Sequence, residues 1–374
     1  MPYSRPFSSP IITTIKIFGI MATWTKISKT LENGTPVQMQ APLIVSASRS
    51  TDIPAFYADW FFHRLEKGYS AWTNPFNGLK SFVSYEKCRF IVFWSKNPSP
   101  LLEHLDELKE RNINCYIQYT LNDYENEGLE KGVRPLQERI DTFKRLVDKL
   151  GEGHVIWRYD PLILTDKITI YNLLHKIERI GNQLLGYTEK LVFSFADIAG
   201  YRKVKANLDK NSIKYSEWTK EQMVELGHRL VALNNTNWNY SLATCGEIAD
   251  LDGITHNHCV DDNLMIRFAY KDEQLMKFLG VEIHDIENTL FGVAPIPETA
   301  IMLNSHQYAI KKKNNTDKGQ RTACGCMVSK DIGEYNTCPH LCEYCYANTS
   351  KEVALRNWKQ AKETKWSSET ITGM

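Results

Sequence analysis

Residues 43–68, with the sequence LIVSASRSTDIPAFYADWFFHRLEKG, contain the pattern that decides the fold. A short run of apolar and β-branched residues at 43–48 is followed by a polar cluster and then by an amphipathic segment at 54–67. Proline in the first turn and glycine directly after the last turn are typical boundaries of a helix. The stretch therefore predicts a buried β-strand that is followed by a helix.

The same pattern repeats along most of the chain. Further short apolar or aromatic runs predict strands at 69–73, 90–94, 115–120, 155–159, 191–195, 239–244 and 327–332. Helix patterns lie at 100–111, 135–150, 168–185, 219–233 and 263–279. Such short apolar runs are typical of strands buried on both faces of a parallel sheet. Eight strands that alternate with helices favour an α/β fold of the (β/α)8 TIM-barrel type, complete or partial, over an open doubly wound sheet.

The repeat defines one domain with two flanking segments. Residues 43–350 are expected to form a single α/β barrel domain that carries a cysteine-rich loop at 338–345. Residues 1–42 are expected to form a partly disordered N-terminal extension, and residues 351–374 a C-terminal tail or helix. An apolar run at 11–20 weakly resembles a signal peptide, but Lys16 interrupts it and it is too short to span a bilayer. Translation is compatible with a start at Met1 or at Met21.

The composition limits the classes of partner and compartment. A net charge of +1 gives no global attraction to nucleic acid or to a membrane surface, so neither is expected as a partner. Nine cysteines without a convincing export signal indicate a reducing compartment, and we expect a cytoplasmic protein. In such a compartment cysteines are metal ligands or core residues more often than disulfides.

The most specific motif is the string CPHLCEYCYAN at 338–348, in which Cys338, Cys342 and Cys345 have the spacing Cys-x3-Cys-x2-Cys. A [4Fe–4S] cluster usually takes four cysteine thiolates. Three ligands from one short loop would hold three irons and leave the fourth open to a chelating small molecule. The spacing is also compatible with a structural zinc site, or with redox or structural cysteines. By itself it leaves these alternatives open.

Charged residues follow several predicted strands, and in a βα barrel such strand ends meet at one mouth. Four of them are candidate catalytic groups: Arg49, Lys96, Arg158 and Asp160. The planar fork of an arginine binds a carboxylate or phosphate through two hydrogen bonds, so Arg158 is a candidate for binding an anion. The alternative is a buried pair of Arg158 and Asp160 that closes the barrel. Asp52 is equally compatible with a helix cap that pairs with Arg49.

Four further cysteines are expected near the same mouth: Cys245, Cys259, Cys324 and Cys326. Four thiolates are sufficient for a second, fully ligated cluster or for a zinc ion. Buried thiols or a redox pair are the alternatives. The remaining two, Cys88 and Cys115, flank or enter predicted strands and are interpreted as structural core residues.

These motifs together resemble those of the family of domain of unknown function 1848. The shared strings are Ser-Arg-x-x-Asp-Ile-Pro-Ala at 48–55, Trp-x-Lys-Asn-Pro at 94–98, Arg-Tyr-Asp-Pro at 158–161, Cys-Gly-Cys at 324–326 and Asn-Thr-Cys-Pro-His-x-Cys-x-Tyr-Cys-Tyr-Ala at 336–347. The resemblance covers the chain from about residue 43 to residue 348.

The cysteine loop also resembles the signature of the radical S-adenosylmethionine (SAM) enzymes, in particular the branch similar to spore photoproduct lyase. The resemblance implies that Cys338, Cys342 and Cys345 bind a [4Fe–4S] cluster and that Tyr344 lies against the adenine of SAM. In that superfamily the loop usually follows the first strand. Its position after the last strand here implies a circular permutation of the barrel.

The permutation also implies where SAM would bind. Ser46, Ser48 and Arg49 would take the place of the segment that binds the amino group of SAM in that superfamily. That segment is commonly Gly-Gly-Glu, which this chain lacks at the corresponding place. Arg158, at another strand end, is a candidate for binding the carboxylate of SAM.

The resemblance implies a radical-SAM-type iron–sulfur enzyme. Such an enzyme takes one electron from a ferredoxin- or flavodoxin-type reductant and splits SAM into methionine and a 5′-deoxyadenosyl radical. That radical would start chemistry on an unknown substrate, such as a small molecule, in the polar mouth. The alternative is a metal-binding barrel with a structural zinc or an electron-transfer iron–sulfur site and no SAM chemistry.

Overall fold

The computed structural model describes residues 24–74, 77–289, 292–321 and 324–373. The apolar run at 11–20 and the two candidate start methionines lie outside the described residues. Part of the N-terminal extension and part of the segment at 351–374 are described, and both contain regular secondary structure. Within the described ranges, no helix has an apolar stretch long enough to cross a membrane.

The strands are β1 Lys26–Thr30, β2 Pro36–Gln40, β3 Ile44–Ala47, β4 Tyr69–Thr73, β5 Lys80–Ser84, β6 Phe90–Ser95, β7 Asn114–Thr120, β8 Val155–Leu162, β9 Leu164–Thr165, β10 Lys190–Phe195, β11 Tyr215–Ser216, β12 Ser241–Thr244, β13 Thr255–His256, β14 Val281–Asp285, β15 Asn288–Thr289, β16 Gly292–Val293, β17 Ile301–Met302, β18 Gln307–Lys311 and β19 Lys330–Asp331. The α-helices are α1 Ile53–Phe56, α2 Ala58–Lys67, α3 Leu105–Glu110, α4 Leu136–Leu150, α5 Ile170–Gln183, α6 Arg202–Lys210, α7 Lys220–Asn237, α8 Asp262–Ala269, α9 Glu273–Leu279 and α10 Lys351–Glu363, and a 3-10 helix spans Ser99–Glu103.

The centre of the fold is an eight-stranded sheet with the order β13-β12-β10-β8-β7-β6-β3-β19. Each strand runs parallel to its neighbours in this sheet. The order follows the chain, except that the last strand, β19, lies beside the first, β3. Among the described residues no strand pairing joins the two edges, β13 and β19. The predicted α/β fold with a parallel sheet is confirmed at this level.

One predicted strand of the parallel sheet is wrong. The run at Tyr69–Thr73 forms β4, which pairs antiparallel with β5 in a separate four-stranded sheet together with β1 and β2. Only residues 74–79 separate β4 from β5. A parallel crossover needs a dozen or more residues, so a connection this short gives a hairpin. The eighth place in the parallel sheet is taken by the two-residue strand β13, and the strand predicted at 327–332 is limited to Lys330–Asp331.

Both faces of the parallel sheet are buried. Val45, Phe93 and Trp157 belong to the larger core cluster, which also includes the apolar residues of α2, α4, α5 and α7. The alternate residues, such as Val92 and Ile156, belong to a second cluster that includes the apolar residues of α8 and α9. Burial on both sides explains why the strands are continuous apolar runs rather than alternating ones.

Two helical glycines predict opposite effects of alanine on stability. A β carbon on Gly181 in α5 would lie 2.5 Å from the ring of Trp238, whereas one on Gly227 in α7 would meet nothing closer than 3.4 Å. We expect Gly181→Ala to destabilise the protein by about 1–3 kcal/mol through overpacking. Gly227→Ala should stabilise it by up to about 1 kcal/mol, because alanine loses less backbone entropy in a helix. Urea denaturation of both variants measures this, and an unaffected Gly181→Ala would contradict the packing of Trp238 on α5.

Candidate metal centres

The carboxyl edge of the parallel sheet is here called the mouth, and it is lined by one set of alternate strand positions. On one face of the sheet, the strands begin with apolar residues of the second core cluster and continue with a polar or amphipathic residue nearer the carboxyl end. These polar or amphipathic residues are Ser46, Trp94, Gln118, Arg158 and Ser194. Because side chains alternate between faces with a period of two, these five positions share one face. The sequence placed these residues at the strand ends, and the alternation explains why they converge.

The buried Arg158 forms an ion pair with the half-buried Asp160 at this mouth. The guanidinium of Arg158 is paired with the Asp160 carboxylate, and its Nη1 donates to Gln118 Oε1 at 3.2 Å and to Cys259 Sγ at 3.0 Å. Ser194 Oγ donates to the other oxygen of Asp160. Burial alone would lower the pKa of Arg158, but Cys259 and Asp160 raise it well above its usual value. Arg158 therefore stays charged, and both of its terminal nitrogens are engaged by protein groups.

Arg49 lies on the indole ring of Trp94, which it shares with Arg158. The guanidinium carbons of Arg49 and Arg158 lie 5.4 and 5.3 Å from the ring centroid, within the range of cation–π interactions. Trp94 Nε1 donates to Ser46 Oγ at 3.1 Å, and Ser46 Oγ donates to Asp331 Oδ2 at 2.8 Å. The same carboxylate oxygen accepts from Arg49 N at 3.0 Å. Asp331, which the sequence analysis missed, therefore organises the end of β3.

Cys338, Cys342 and Cys345, here called the loop triad, lie together after β19 at the same edge of the sheet. All three are free thiols; Cys342 is buried and the other two are half-buried. Burial raises the pKa of each thiol, and charge repulsion within the triad raises the pKa of Cys338 and Cys342 further. Asn348 N donates to Cys345 Sγ at 3.4 Å. Thiolates are the form that binds metal, and a bound cation would offset their mutual repulsion, so the arrangement suits a metal centre.

The loop triad is attached to the rest of the site by side chains of its own loop. His340 Nε2 lies 2.7 Å from Asp52 Oδ2, and Asn348 Nδ2 donates to Cys338 O at 2.8 Å. Asp52 also caps α1 by accepting from Ala55 N at 3.0 Å. A β carbon on Gly132 would lie 2.4 Å from Pro339 O, so only glycine permits this close approach. Asp52 is therefore a helix cap and an anchor of the loop.

Lys96 lies in a buried polar network below the loop triad. Its Nζ lies 2.6 Å from Glu130 Oε1 and donates to Tyr344 OH at 3.0 Å. Asn122 Nδ2 donates to both of these acceptors, at 3.1 and 3.0 Å, and Tyr344 OH donates to Glu130. Burial would raise the pKa of Glu130, but Lys96 and Arg139 hold it at about 2. The positive charge of Lys96 is balanced by Glu130 and also interacts with the thiol of Cys342.

Glu130 is a site residue that the sequence analysis missed. Its backbone pairs with that of Cys342 as an isolated antiparallel bridge, and Glu343 N donates to Leu129 O at 2.9 Å. Residues 129–130 thus pair with the cysteine loop, although about two hundred residues separate the two segments in the sequence. A local sequence pattern does not predict such a contact.

The two tyrosines of the cysteine loop have different surroundings. Tyr344, predicted to lie against adenine, is buried, and its ring packs edge-on against Tyr124 with a centroid distance of 6.1 Å. Tyr346 is 43% exposed, its ring centroid lies 5.9 Å from that of Tyr201, and its hydroxyl donates to Arg49 O at 2.6 Å. The accessible aromatic surface of the loop is therefore that of Tyr346.

The structure also brings together Cys245, Cys259, Cys324 and Cys326, here called the four-cysteine group. Cys245 Sγ lies 3.2 Å from Cys259 Sγ, and Cys326 Sγ accepts from Cys259 N at 3.2 Å. The thiol of Cys324 is hydrogen-bonded to that of Cys326, which is the main cause that lowers the pKa of Cys324 to about 6. Four sulfurs from three distant parts of the chain thus form one continuous set.

A third group of possible ligands consists of His258, Asp261 and Asp262. Asp261 already caps α8 through Asn263 N at 2.9 Å, and Asp262 pairs with Lys311 at 2.8 Å. These contacts account for both carboxylates without an ion. The group is therefore interpreted as structural.

The network below the loop triad predicts a large effect of one neutral substitution. Glu130→Gln would leave Lys96 buried without its counter-ion, and we expect a loss of about 3 kcal/mol in the free energy of unfolding. Glu138→Gln is the matched control, because Glu138 forms only an exposed pair with Arg134 at 3.6 Å, and it should change stability by under about 1 kcal/mol. Denaturant unfolding of the metal-free proteins measures both. Equal effects of the two substitutions would contradict the network.

Comparisons with known proteins identify the family of the chain. The family model described as Domain of unknown function (DUF1848) matches residues 44–347. Searches of curated proteins and of solved structures gave no significant match. The family match includes the parallel sheet, the four-cysteine group and the loop triad, which is most of the chain. The chain therefore belongs to the family of domain of unknown function 1848.

Proposed function

We propose that this protein is an iron–sulfur enzyme of the radical SAM type, in which the loop triad holds a [4Fe–4S] cluster. The observation that carries the proposal is the convergence of the three thiols of the loop triad at the carboxyl edge of a parallel sheet. Active sites of βα folds lie at this edge. Three cysteine ligands leave one iron of a [4Fe–4S] cluster without a protein thiolate, which is the position that SAM would take.

The surroundings of the loop triad suit such a cluster. The amide of Asn348 donates to Cys345 Sγ, and hydrogen bonds to sulfur are one of the factors that set cluster potentials. The charge of Lys96 acts on Cys342, which favours the anionic thiolate. Burial of Cys342 and of the Glu130 network keeps water from this side of the loop. These residues would hold the cluster and limit its exposure.

The residues predicted to bind SAM differ in their availability. Ser46, Ser48, Arg158 and Tyr344 are buried, and Arg49 is half-buried at the mouth. Ser48 Oγ accepts from Ser50 N at 3.1 Å and from Thr51 N at 3.3 Å, so its lone pairs are in use. We therefore assign the anion-binding role to Arg49, with the exposed ring of Tyr346 beside it. This assignment replaces Arg158 and Tyr344 as the primary SAM contacts.

Chemistry at this site would divide between the cofactors and the chain. A reduced cluster, if held by the loop triad, would supply the electron for reductive cleavage of the sulfonium group of SAM. The chain contributes position and charge. Arg49 would hold the carboxylate of SAM, and Asp331 fixes the Arg49 backbone. The pair of Arg158 and Asp160 remains a charged wall of the mouth where an unidentified substrate would bind.

A second candidate is a protein whose metal centres are structural or carry electrons, without SAM chemistry. The observation that favours it is the engagement of four of the five predicted SAM contacts by protein groups. The two candidates differ in one measurable property, which is whether SAM changes the spectrum of the reduced cluster.

We also propose that the eight-stranded sheet is a partial (β/α)8 barrel, permuted so that the cysteine loop follows the last strand. The strand order, with the last strand beside the first, is that of a barrel opened between β13 and β19. Irregular backbone links the two edges, with Met327 N donating to Val260 O at 3.0 Å. The apolar residues of α8 and α9 cover the face that carries Ser46 and Arg158.

The proposed chemistry requires a reducing environment. A ferredoxin- or flavodoxin-type protein would supply the electron, and a cytoplasmic location would keep the nine free cysteines reduced. The net charge of +1 favours a small or neutral substrate over nucleic acid.

Cys342→Ala tests the cluster assignment. The protein is purified anaerobically, reconstituted with ferrous iron and sulfide, reduced, and studied by electron paramagnetic resonance with and without SAM. For the unaltered protein we expect a cubane signal that SAM alters, together with 5′-deoxyadenosine as product. We expect Cys342→Ala to lose the SAM-dependent signal and the product, and to contain less iron by the amount of one cluster. The buried Cys115→Ala is the matched control and should retain them. An unchanged SAM response in Cys342→Ala would refute the assignment.

Arg49→Lys tests the SAM site. Lysine lacks the planar fork, so we expect the affinity for SAM to fall by about tenfold, the equivalent of one charge-assisted hydrogen bond. Anaerobic calorimetric titration of SAM into the reconstituted protein measures the change. Arg145→Lys, at an exposed position of α4, is the control. If Arg158→Lys lowers the affinity and Arg49→Lys does not, the carboxylate belongs to Arg158.

A further inference from the structure

The four-cysteine group lies at the seam between the two edges of the parallel sheet. Cys245 directly follows β12 and Cys259 follows β13, whereas Cys324 and Cys326 precede β19. At this seam Val260 N donates to Cys326 Sγ at 3.4 Å, in addition to the bond from Cys259 N. The group therefore connects the two edges, which no strand pairing within the described ranges joins.

The sulfurs of the group accept several hydrogen bonds. Cys259 Sγ accepts from Asn257 Nδ2 at 3.1 Å and from Arg158 Nη1 at 3.0 Å. Cys326 Sγ accepts from the two backbone amides of residues 259 and 260. Donors aimed at sulfur stabilise thiolates, and thiolates are the form that binds metal.

Positive charge surrounds the group. The guanidinium of Arg158 donates to Cys259, and that of Arg49 interacts electrostatically with Cys259, Cys324 and Cys326. Four thiolates around a metal centre carry a net negative charge. The two arginines would balance this negative charge and so offset the desolvation cost of placing it inside the protein.

The spacing of the sulfurs distinguishes between one ion and a cluster. Tetrahedral zinc with Zn–S bonds of about 2.3 Å would place any two of its sulfurs about 3.8 Å apart. Within the part of the chain that the structure describes, no three of the four sulfurs lie within 4.8 Å of one another. The contacts instead run in a row, Cys245 to Cys259 to Cys326 to Cys324. An iron–sulfur cluster spreads four thiolates over two or more irons, so a set that contains a close pair and extends as a whole beyond 4.8 Å suits a cluster better than one ion.

We propose that the four-cysteine group holds a second iron–sulfur cluster, in which all four cysteine positions are supplied by the chain. Such a centre has no open position for SAM or substrate, in contrast to the loop triad. The two sites share no cysteine, although Arg49 lies between them. It interacts electrostatically with three thiols of the four-cysteine group, and its carbonyl accepts from Tyr346, next to Cys345. Each site can therefore be removed while the other is retained, and the proposal does not rest on SAM chemistry.

The test uses two variants of the full-length chain. One replaces Cys338, Cys342 and Cys345 by alanine, and the other replaces Cys324 and Cys326 by alanine. After anaerobic reconstitution with ferrous iron and sulfide, each is assayed for iron, acid-labile sulfide and zinc, and by Mössbauer spectroscopy. We expect each variant to keep about half of the iron and sulfide of the unaltered protein if both sites hold the same kind of cluster.

The variants also separate this proposal from the proposed function. The loop-triad variant should keep a cluster whose spectrum is indifferent to SAM, and the Cys324/Cys326 variant should keep the SAM-responsive one. Loss of all iron and sulfide from a loop-triad variant that is still folded by circular dichroism overturns the second cluster. So does uptake of one zinc without sulfide, or a Cys245–Cys259 disulfide in the anaerobic protein. Cys324→Ser, at a half-buried position, repeats the comparison if the double variant does not fold.

Discussion

The carboxylate of Asp52 fixes the arrangement of the whole site. One oxygen accepts from Ala55 N at 3.0 Å and begins the first helix, and the other accepts from Lys96 N at 2.7 Å and lies 2.7 Å from His340 Nε2. These partners belong to the first βα turn, to the end of β6 and to the cysteine loop. A carboxylate that is 7% exposed needs such partners to offset its desolvation. One buried charge thereby sets three positions relative to one another.

Charged side chains with protein counter-ions occur at two further places in the mouth. Lys96 is neutralised by Glu130 beneath the loop triad, and Arg158 by Asp160 beside the four-cysteine group. Buried ion pairs contribute little net stability compared with apolar replacements, because both charges are desolvated. Their value here is positional, since each pair holds a fixed positive charge beside the sulfurs of a proposed metal centre.

The topology of the sheet makes these contacts possible. Because β19 pairs with β3, the chain brings Asp331 to within 2.8 Å of Ser46 Oγ over a separation of 285 residues. The loop triad follows β19 directly, so it lies above the first strand rather than at the far end of the chain. The four-cysteine group depends on the same topology. Its members come from the loops after β12 and β13 and from the segment that precedes β19, at the opposite edge of the sheet.

The sequence by itself determined the elements that depend on local periodicity: the buried strands, the amphipathic helices between them, and the cysteine spacing of residues 338–345. It also gave the candidate residues Arg49, Lys96, Arg158 and the seven clustered cysteines, because these stand at strand ends or in short motifs. Only the tertiary structure decided which of them touch. The hairpin of β4 with β5, the roles of Glu130 and Asp331, and the exposure of Tyr346 instead of Tyr344 all depend on contacts between distant segments. Local patterns record which face of an element is apolar, whereas the partner across a fold is set by packing of the whole chain.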